Sequence, residues 1–262
     1  MCRIIAYVGP GSHDLQRLFD AFRNGSQCDP YVGPICGNKY SGHPNGWGYA
    51  FYDSKSLRHY RSAMPVWDDT FALPPVTGEM VQAVWHSRLA SDPSLDLPIC
   101  SHPFIAATND EIILFAHNGG VNKPDTMGKL VVDSEWALAE IVRRGSLEQA
   151  LEELKKQTKP NSGLNLVVMT IPRDKTIAPQ VQCLNYFKSE DPARIAYYQM
   201  YTANLAGGQV FFSSTFKDTA GLANVQPAPF GEIVNLGAKA IASSAQPGKK
   251  SSSTPEPTAI ET

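Results

Sequence analysis

The chain of 262 residues contains no apolar run approaching the roughly 18 residues that a membrane-spanning helix requires, so no transmembrane segment is expected. It also lacks a basic start followed by an apolar stretch, the pattern of a secretory signal. Lys and Arg total 23 against 25 Asp and Glu, a formal net charge of -2, and no Lys/Arg block is interleaved with aromatics. A nucleic-acid partner is therefore not expected. Cysteine is scarce: positions 2, 28, 36, 100 and 183 make an odd number spread widely, which suits reduced thiols rather than a disulfide framework. His86, His102, His117 and Cys100 follow neither the C-x-x-C nor the H-x-x-x-H spacing of a zinc site, and no metal or cofactor is expected. There is no internal repeat. These absences point to a cytoplasmic, enzyme-sized protein whose 42% hydrophobic content supports a core and whose length allows one large or two small domains.

What is present begins with Cys2, directly behind the start methionine. If Met1 is trimmed, one residue carries both a thiol and an α-amino group, with reference pKa values of roughly 8.5 and roughly 7.7 to 8.0. That places a nucleophile and a base a few bonds apart. The plain alternative is a small buried residue opening a strand.

Residues 3–8 are apolar at nearly every position, as in a buried central strand. After Gly9-Pro10-Gly11, Ser12 is positioned to cap a helix whose stripe is Leu15, Leu18, Phe19 and Phe22. Residues 23–45 have no period and read as an irregular loop. Over 46–52, Trp47, Tyr49 and Phe51 share one strand face and Gly48 and Ala50 the other, and 57–61 can return as a hairpin. Further strands are expected at 81–89 and 111–117. Helical periodicity returns over 133–144, with Asp133 or Ser134 as cap and Gly145 as stop, and again from Ser146 to a break at 159–163. The second half reads as strands at 164–171, 181–186, 195–202, 209–214 and 231–236. Two helices between two groups of strands suggest helix layers around two packed sheets. From about Ser243 the composition is Ser, Pro, Lys and Glu, that of a disordered tail.

Three polar clusters stand at expected strand or helix ends. Arg88, within His86-Ser87-Arg88, could fork onto a carboxylate or simply face solvent. Asn118-Gly119 is either a hairpin turn or a pair of donors aimed at a developing negative charge. Asp133 is either a helix cap or a carboxylate that holds an ammonium group.

Taken in order, Cys2, Asn45-Gly46-Trp47-Gly48, His86-Ser87-Arg88, Ser101-His102-Pro103-Phe104, His117-Asn118-Gly119-Gly120 and Asp133-Ser134-Glu135 resemble class II glutamine amidotransferases, members of the N-terminal nucleophile hydrolases. The Met-Cys-Arg start and His-Pro-Phe segment are similar to a stand-alone branch. The resemblance implies an α+β fold, a four-layer αββα sandwich of two mainly antiparallel sheets. It assigns 2–240 to a type 2 amidotransferase domain and 241–262 to a disordered Ser/Pro-rich tail. Carried over residue by residue, it implies Cys2 as nucleophile with its α-amino group as base, and Asn118 and Gly119 as the oxyanion hole. Arg88 would bind the substrate carboxylate and Asp133 its amino group, with His86 in the same substrate-binding set. The implied reaction releases glutamate and ammonia from glutamine through a γ-glutamyl thioester, without metal or cofactor. Two alternatives stand beside it: a γ-glutamyl peptide or amide hydrolase for glutathione-like substrates acting with a partner subunit, and a non-catalytic scaffold. The partners implied are glutamine or a γ-glutamyl compound and an ammonia-accepting subunit, with neither nucleic acid nor membrane.

Overall fold

The computed structural model describes residues 1–11, 13–71, 73, 80–124 and 132–237. The expected Ser12 cap, the last residues of the 2–240 domain and the 241–262 tail lie outside the described residues. The chain forms β1 (Cys2–Pro10), α1 (His13–Gln27), α2 (Val32–Cys36), the hairpin β2 (Trp47–Tyr52) and β3 (Leu57–Ser62), β4 (Met80–Arg88), β5 (Phe104–Ala107) and β6 (Glu111–Gly119). It continues through α3 (Asp133–Arg144), α4 (Leu147–Gln157), β7 (Ser162–Pro172), β8 (Gln180–Leu184), β9 (Phe187–Lys188) and α5 (Pro192–Tyr198). The hairpin β10 (Met200–Leu205) and β11 (Gly208–Ser213), then β12 (Gln226–Pro227) and β13 (Ile233–Leu236), complete it.

The strands form two antiparallel sheets. One has the order β12-β10-β11-β1-β4-β2-β3 and the other β13-β8-β7-β6-β5, with β9 paired to β7. The period-two alternation of strands decides how they stack. On β1, Ile5 and Tyr7 face outward onto Leu15, Leu18, Phe19 and Phe22 of α1, together with Trp47, Tyr49 and Phe51. Ile4, Ala6 and Val8 face inward, against Leu114, Ala116, Val167 and Met169 of the second sheet. The outer face of that second sheet, Ile113, Phe115, Leu166 and Val168, is covered by Leu138 and Ile141 of α3 and Leu147 and Leu154 of α4. The result is the expected four-layer αββα sandwich. β1 is central, paired along its whole length to β4 on one side and over Ile5–Val8 to β11 on the other.

Four elements differ from the sequence reading. Helix α1 runs on to Gln27 instead of ending near residue 22, because Gly25 packs where a Cβ would press on the Phe216 ring and Ser26 Oγ donates to buried Ser87 Oγ at 2.8 Å. The 23–45 segment also holds the short helix α2. Residues 192–198, whose last four read as strand, are helical. Asp191 caps that helix by accepting from Ala193 N–H at 3.0 Å, and Pro192 sits at its first position. The Asp-Pro signal outweighs the alternation of Ile195 and Tyr197. Short β5 was not anticipated; it pairs with β6 from Phe104 to Ala107.

Candidate active site

The pleat places Cys2 on the inward face of β1, at the end of the sandwich. Register fixes its neighbours: Cys2 lies opposite Arg88 and Ile4 opposite His86 on β4, so Cys2, His86 and Arg88 share one face. β6 brings Asn118 in from the facing sheet, on the same inward side as Leu114 and Ala116, and Asn118 Oδ1 accepts from Cys2 N at 2.8 Å. Asn118 is fully buried and its Nδ2 has no partner within the protein. A cavity of about 300 Å³ opens beside these groups, lined among others by Cys2, Arg88, Gly119, Asp133, Cys100 and His102. A small amino acid fits such a volume.

Gly119 has φ +152°, and a Cβ there would overlap the Gly163 carbonyl, so the close β6–β7 approach at the cavity wall requires glycine. At Gly48 a Cβ would overlap the His102 carbonyl, which explains why the small face of β2 lets the 101–103 segment lie against it. Asp133 does not cap α3. Val132 holds the cap position, Glu135 Oε2 accepts from its N–H at 3.1 Å, and Asp133 is the first helical residue. Its carboxylate is thereby free to turn toward the cavity, where Oδ2 accepts from Val121 N–H at 3.0 Å and lies 3.7 Å from Lys159 Nζ. Met1 also lines the cavity; its ammonium donates to the Leu89 carbonyl at 2.9 Å and continues the β1–β4 ladder by one residue.

Electrostatics single out Cys2 among the thiols. Burial raises its pKa, but the Met1 ammonium, His86 and Arg88 together outweigh burial and hold the thiol down at about 6. Burial instead pushes Cys100 up, and Cys183 well up. Since the thiolate is the reactive form, Cys2 alkylation by iodoacetamide should be half-maximal near pH 6 in the chain that retains Met1, against roughly pH 8.5 for an ordinary thiol. Peptide mass mapping across pH measures this. A half-maximal rate near the ordinary value would contradict the electrostatic account.

The sequence-derived residues Cys2, Arg88, Gly119 and Asp133 thus line one cavity, and Asn118 reaches Cys2 from the facing sheet. His86 is fully buried behind them and is not among the cavity-lining residues. Sequence reasoning did not single out Lys159, Lys123 and His102 as cavity residues, nor the support behind Cys2. Tyr197 Oη donates to the Cys2 carbonyl at 3.0 Å, and the Arg3 guanidinium lies 3.8 Å over the Tyr197 ring. Arg3 Nε donates to Asp29 Oδ2 at 2.6 Å, beside His43 Nε2 at 2.7 Å from the same oxygen, all fully or almost fully buried. Only the unusual arginine inside an apolar strand hinted at that network.

The chain forms a sandwich of two antiparallel sheets between helix layers and opens with a central strand. Its fold matches that of the glutamine phosphoribosylpyrophosphate amidotransferase from B. subtilis, in a complex with ADP and GMP, with a TM-score of 0.59 and 15% identity over 88% of this chain. It matches equally a structure described as the allosteric regulatory enzyme of purine biosynthesis, with a TM-score of 0.59 and 16% identity over 88% of this chain. In both cases the chain spans 46% of the other protein's length. A protein described as a predicted glutamine amidotransferase from Pseudomonas aeruginosa PA01 aligns over 90% of this chain and 93% of its own, with 19% identity and a TM-score of 0.45. No curated protein matches the sequence. The family model for class II glutamine amidotransferases matches residues 34–170, more than half of the sequence, and the chain belongs to that family. That matched stretch holds Arg88, Asn118, Gly119 and Asp133 but begins after Cys2.

Among the described residues no helix is long and apolar enough to cross a membrane.

Proposed function

We propose that this protein hydrolyses the γ-amide of glutamine, with Cys2 of the Met1-free chain as nucleophile and a γ-glutamyl thioester as intermediate. The observation that carries the reading is the Cys2–Asn118 bond: the backbone nitrogen that becomes the α-amino group is already held at 2.8 Å by a buried side chain, beside a thiol lowered to about 6. Removal of Met1 turns that nitrogen into a base two bonds from the thiol-bearing carbon. Arg88 and Asp133, of opposite charge on one cavity wall, suit the carboxylate and ammonium of a free amino acid and orient its amide toward Sγ. The unpartnered Asn118 Nδ2 and the Gly119 backbone are the donors assigned to the oxyanion. In this reading the ammonia is either released or passed to a partner subunit.

A second reading, γ-glutamyl peptide or amide hydrolysis, is favoured by one observation. Lys159 and Lys123 line the same cavity, supplying cationic groups beyond the Arg88 needed for one carboxylate. A leaving group that carries its own carboxylate would meet them.

Product analysis separates the readings. The Met1-free chain, verified by intact mass, is incubated with L-glutamine or with γ-glutamyl dipeptides, and ammonia, amine and glutamate are quantified. Equimolar ammonia and glutamate are expected from glutamine. Preferential release of amino acid from the dipeptides selects the second reading. A folded, Met1-free chain inert toward both substrates returns the protein to the scaffold alternative.

A further inference from the structure

Met1 lines the cavity, yet the reaction proposed above requires its removal. What it touches shows what its removal exposes. Met1 packs against a buried apolar cluster of Val32, Leu89, Tyr197 and Tyr198. It also forms a last ladder rung with Leu89: its ammonium donates to the Leu89 carbonyl at 2.9 Å, and Leu89 N–H donates to the Met1 carbonyl at 2.7 Å. Leu89 is only 1% exposed and itself lines the cavity. Without Met1, a backbone donor and a backbone acceptor lose their partners beside an uncovered apolar wall, a state that favours a ligand with matching parts.

Covalent structure fixes where this rung stands relative to the chemistry. Met1 is joined to the Cys2 nitrogen, which Asn118 Oδ1 holds at 2.8 Å. As the α-amino group, that nitrogen takes the thiol proton and returns it to the leaving nitrogen, which departs within hydrogen-bond reach of it. A leaving group and Met1 therefore extend from neighbouring points on one cavity wall.

We propose that the place of Met1 is a leaving-group subsite, which takes the amino acid released from a γ-glutamyl peptide and favours an apolar side chain on it. The inference rests on the reading of Cys2 as nucleophile toward a γ-glutamyl carbonyl and adds the class of amide cleaved. An α-amino acid has the parts of the residue it replaces. Its carboxylate accepts from Leu89 N–H as the Met1 carbonyl does, and its side chain covers the Val32–Leu89 cluster as methionine does. In the reaction the Sγ–H proton passes to the α-amine, and sulfur bonds to the γ-carbonyl carbon while the carbonyl electrons move onto oxygen. On collapse the carbon–nitrogen bond breaks, the nitrogen takes the proton from the α-ammonium, and the amino acid leaves. Water then adds to the thioester carbon and gives a proton to the α-amine. The carbon–sulfur bond breaks, sulfur takes that proton, and the product carboxyl loses its own to solvent.

The test measures kcat/KM of the full, Met1-free chain for the γ-glutamyl peptides of glycine, glutamate, leucine and methionine, with glutamine as reference, from the amino acid or ammonia released. Leucine and methionine peptides should exceed the glycine peptide by about tenfold or more, the effect of burying two or more methylene groups, and the glutamate peptide should fall below both. Leu89→Ala keeps the backbone rung but shortens the apolar wall, and should lower the leucine-to-glycine ratio about threefold or more. Because that ratio is taken on one protein, any loss of folded enzyme cancels. Equal rates across the peptides, or a preference for glycine or glutamate, with glutamine still hydrolysed, would overturn the subsite and leave the nucleophile reading standing. An unchanged ratio in Leu89→Ala would also overturn it. Inertness of the folded, Met1-free chain toward glutamine and all four peptides would refute both.

Discussion

Cys2→Ala is expected to lower glutamine turnover by about four to six orders of magnitude, measured as glutamate release, with little change in melting temperature. The size follows from the unit character of the site. Without Sγ no thioester forms, and positioning by Arg88 and Asp133 retains only the residual rate of water attacking a bound, polarised amide. Stability should hold because alanine keeps the backbone contacts that place the residue: the N–H to Asn118, the carbonyl to Tyr197 and the pairing with Arg88. Activity within about tenfold of wild type would show that a different group attacks, and Cys100, on the same cavity wall, is the thiol to examine next.

Asp29→Ala is expected to cost about 3 to 5 kcal/mol of stability, read from urea unfolding, because it strands the Arg3 guanidinium in the interior. Asp29 accepts from Arg3, His43 and Thr215 side chains at 2.6 to 2.7 Å and from Tyr31 N–H at 3.0 Å, and its carboxylate is held well below the usual range; burial opposes this, and Arg3 and His43 outweigh it. A folded-state value below the unfolded one means that the unfolded chain binds the proton first as pH falls. The contribution is therefore complete above roughly pH 4 and is lost as pH drops toward the folded value. Burial also holds His43 at about 4, so the unfolded chain takes up an extra proton below roughly pH 6.5. Both terms have the same sign, and the urea midpoint should fall steadily from pH 7 to pH 3. In Asp29→Ala the part of that slope below roughly pH 4 should flatten. A variant as stable as wild type, with an unchanged slope, would mean that the Arg3–Asp29 pair contributes nothing.

The two effects are connected through β1. Arg3 points to the α1 side and Cys2 to the inter-sheet side, so one strand carries the buried ion pair on one face and the thiol on the other. The Tyr197 ring under Arg3 and the Tyr197 hydroxyl on the Cys2 carbonyl hold the strand end from the α5 side. Loosening that network should widen the range of Cys2 positions as well as lower stability.

Local pattern carried much of this architecture. The apolar run of β1, the aromatic and small faces of β2, and the stripes of α1, α3 and α4 each follow from side-chain periodicity, which acts over a few residues and is readable without knowing the fold. So does the stack of layers, because each apolar face requires a cover. The segments misread are those in which a capping residue or a distant contact overrides composition, as at Asp191-Pro192 and at Gly25 against Phe216.

The site divides in the same way. Local sequence supplied the parts: a cysteine directly after Met1, Arg88 at a strand end, Asn118-Gly119 at another, Asp133 at a helix start. Tertiary structure alone decided how they meet, since antiparallel register sets Cys2 against Arg88 and sheet packing carries Asn118 across to the Cys2 nitrogen. It also decided that Asp133 turns from capping to the cavity, that His86 stands behind the thiol, and that Arg3 finds Asp29, 26 residues away. The physical reason is range: periodicity and capping are set by neighbours along the chain, whereas pairing of buried charges and orphaned nitrogens depends on which strands the whole core brings together.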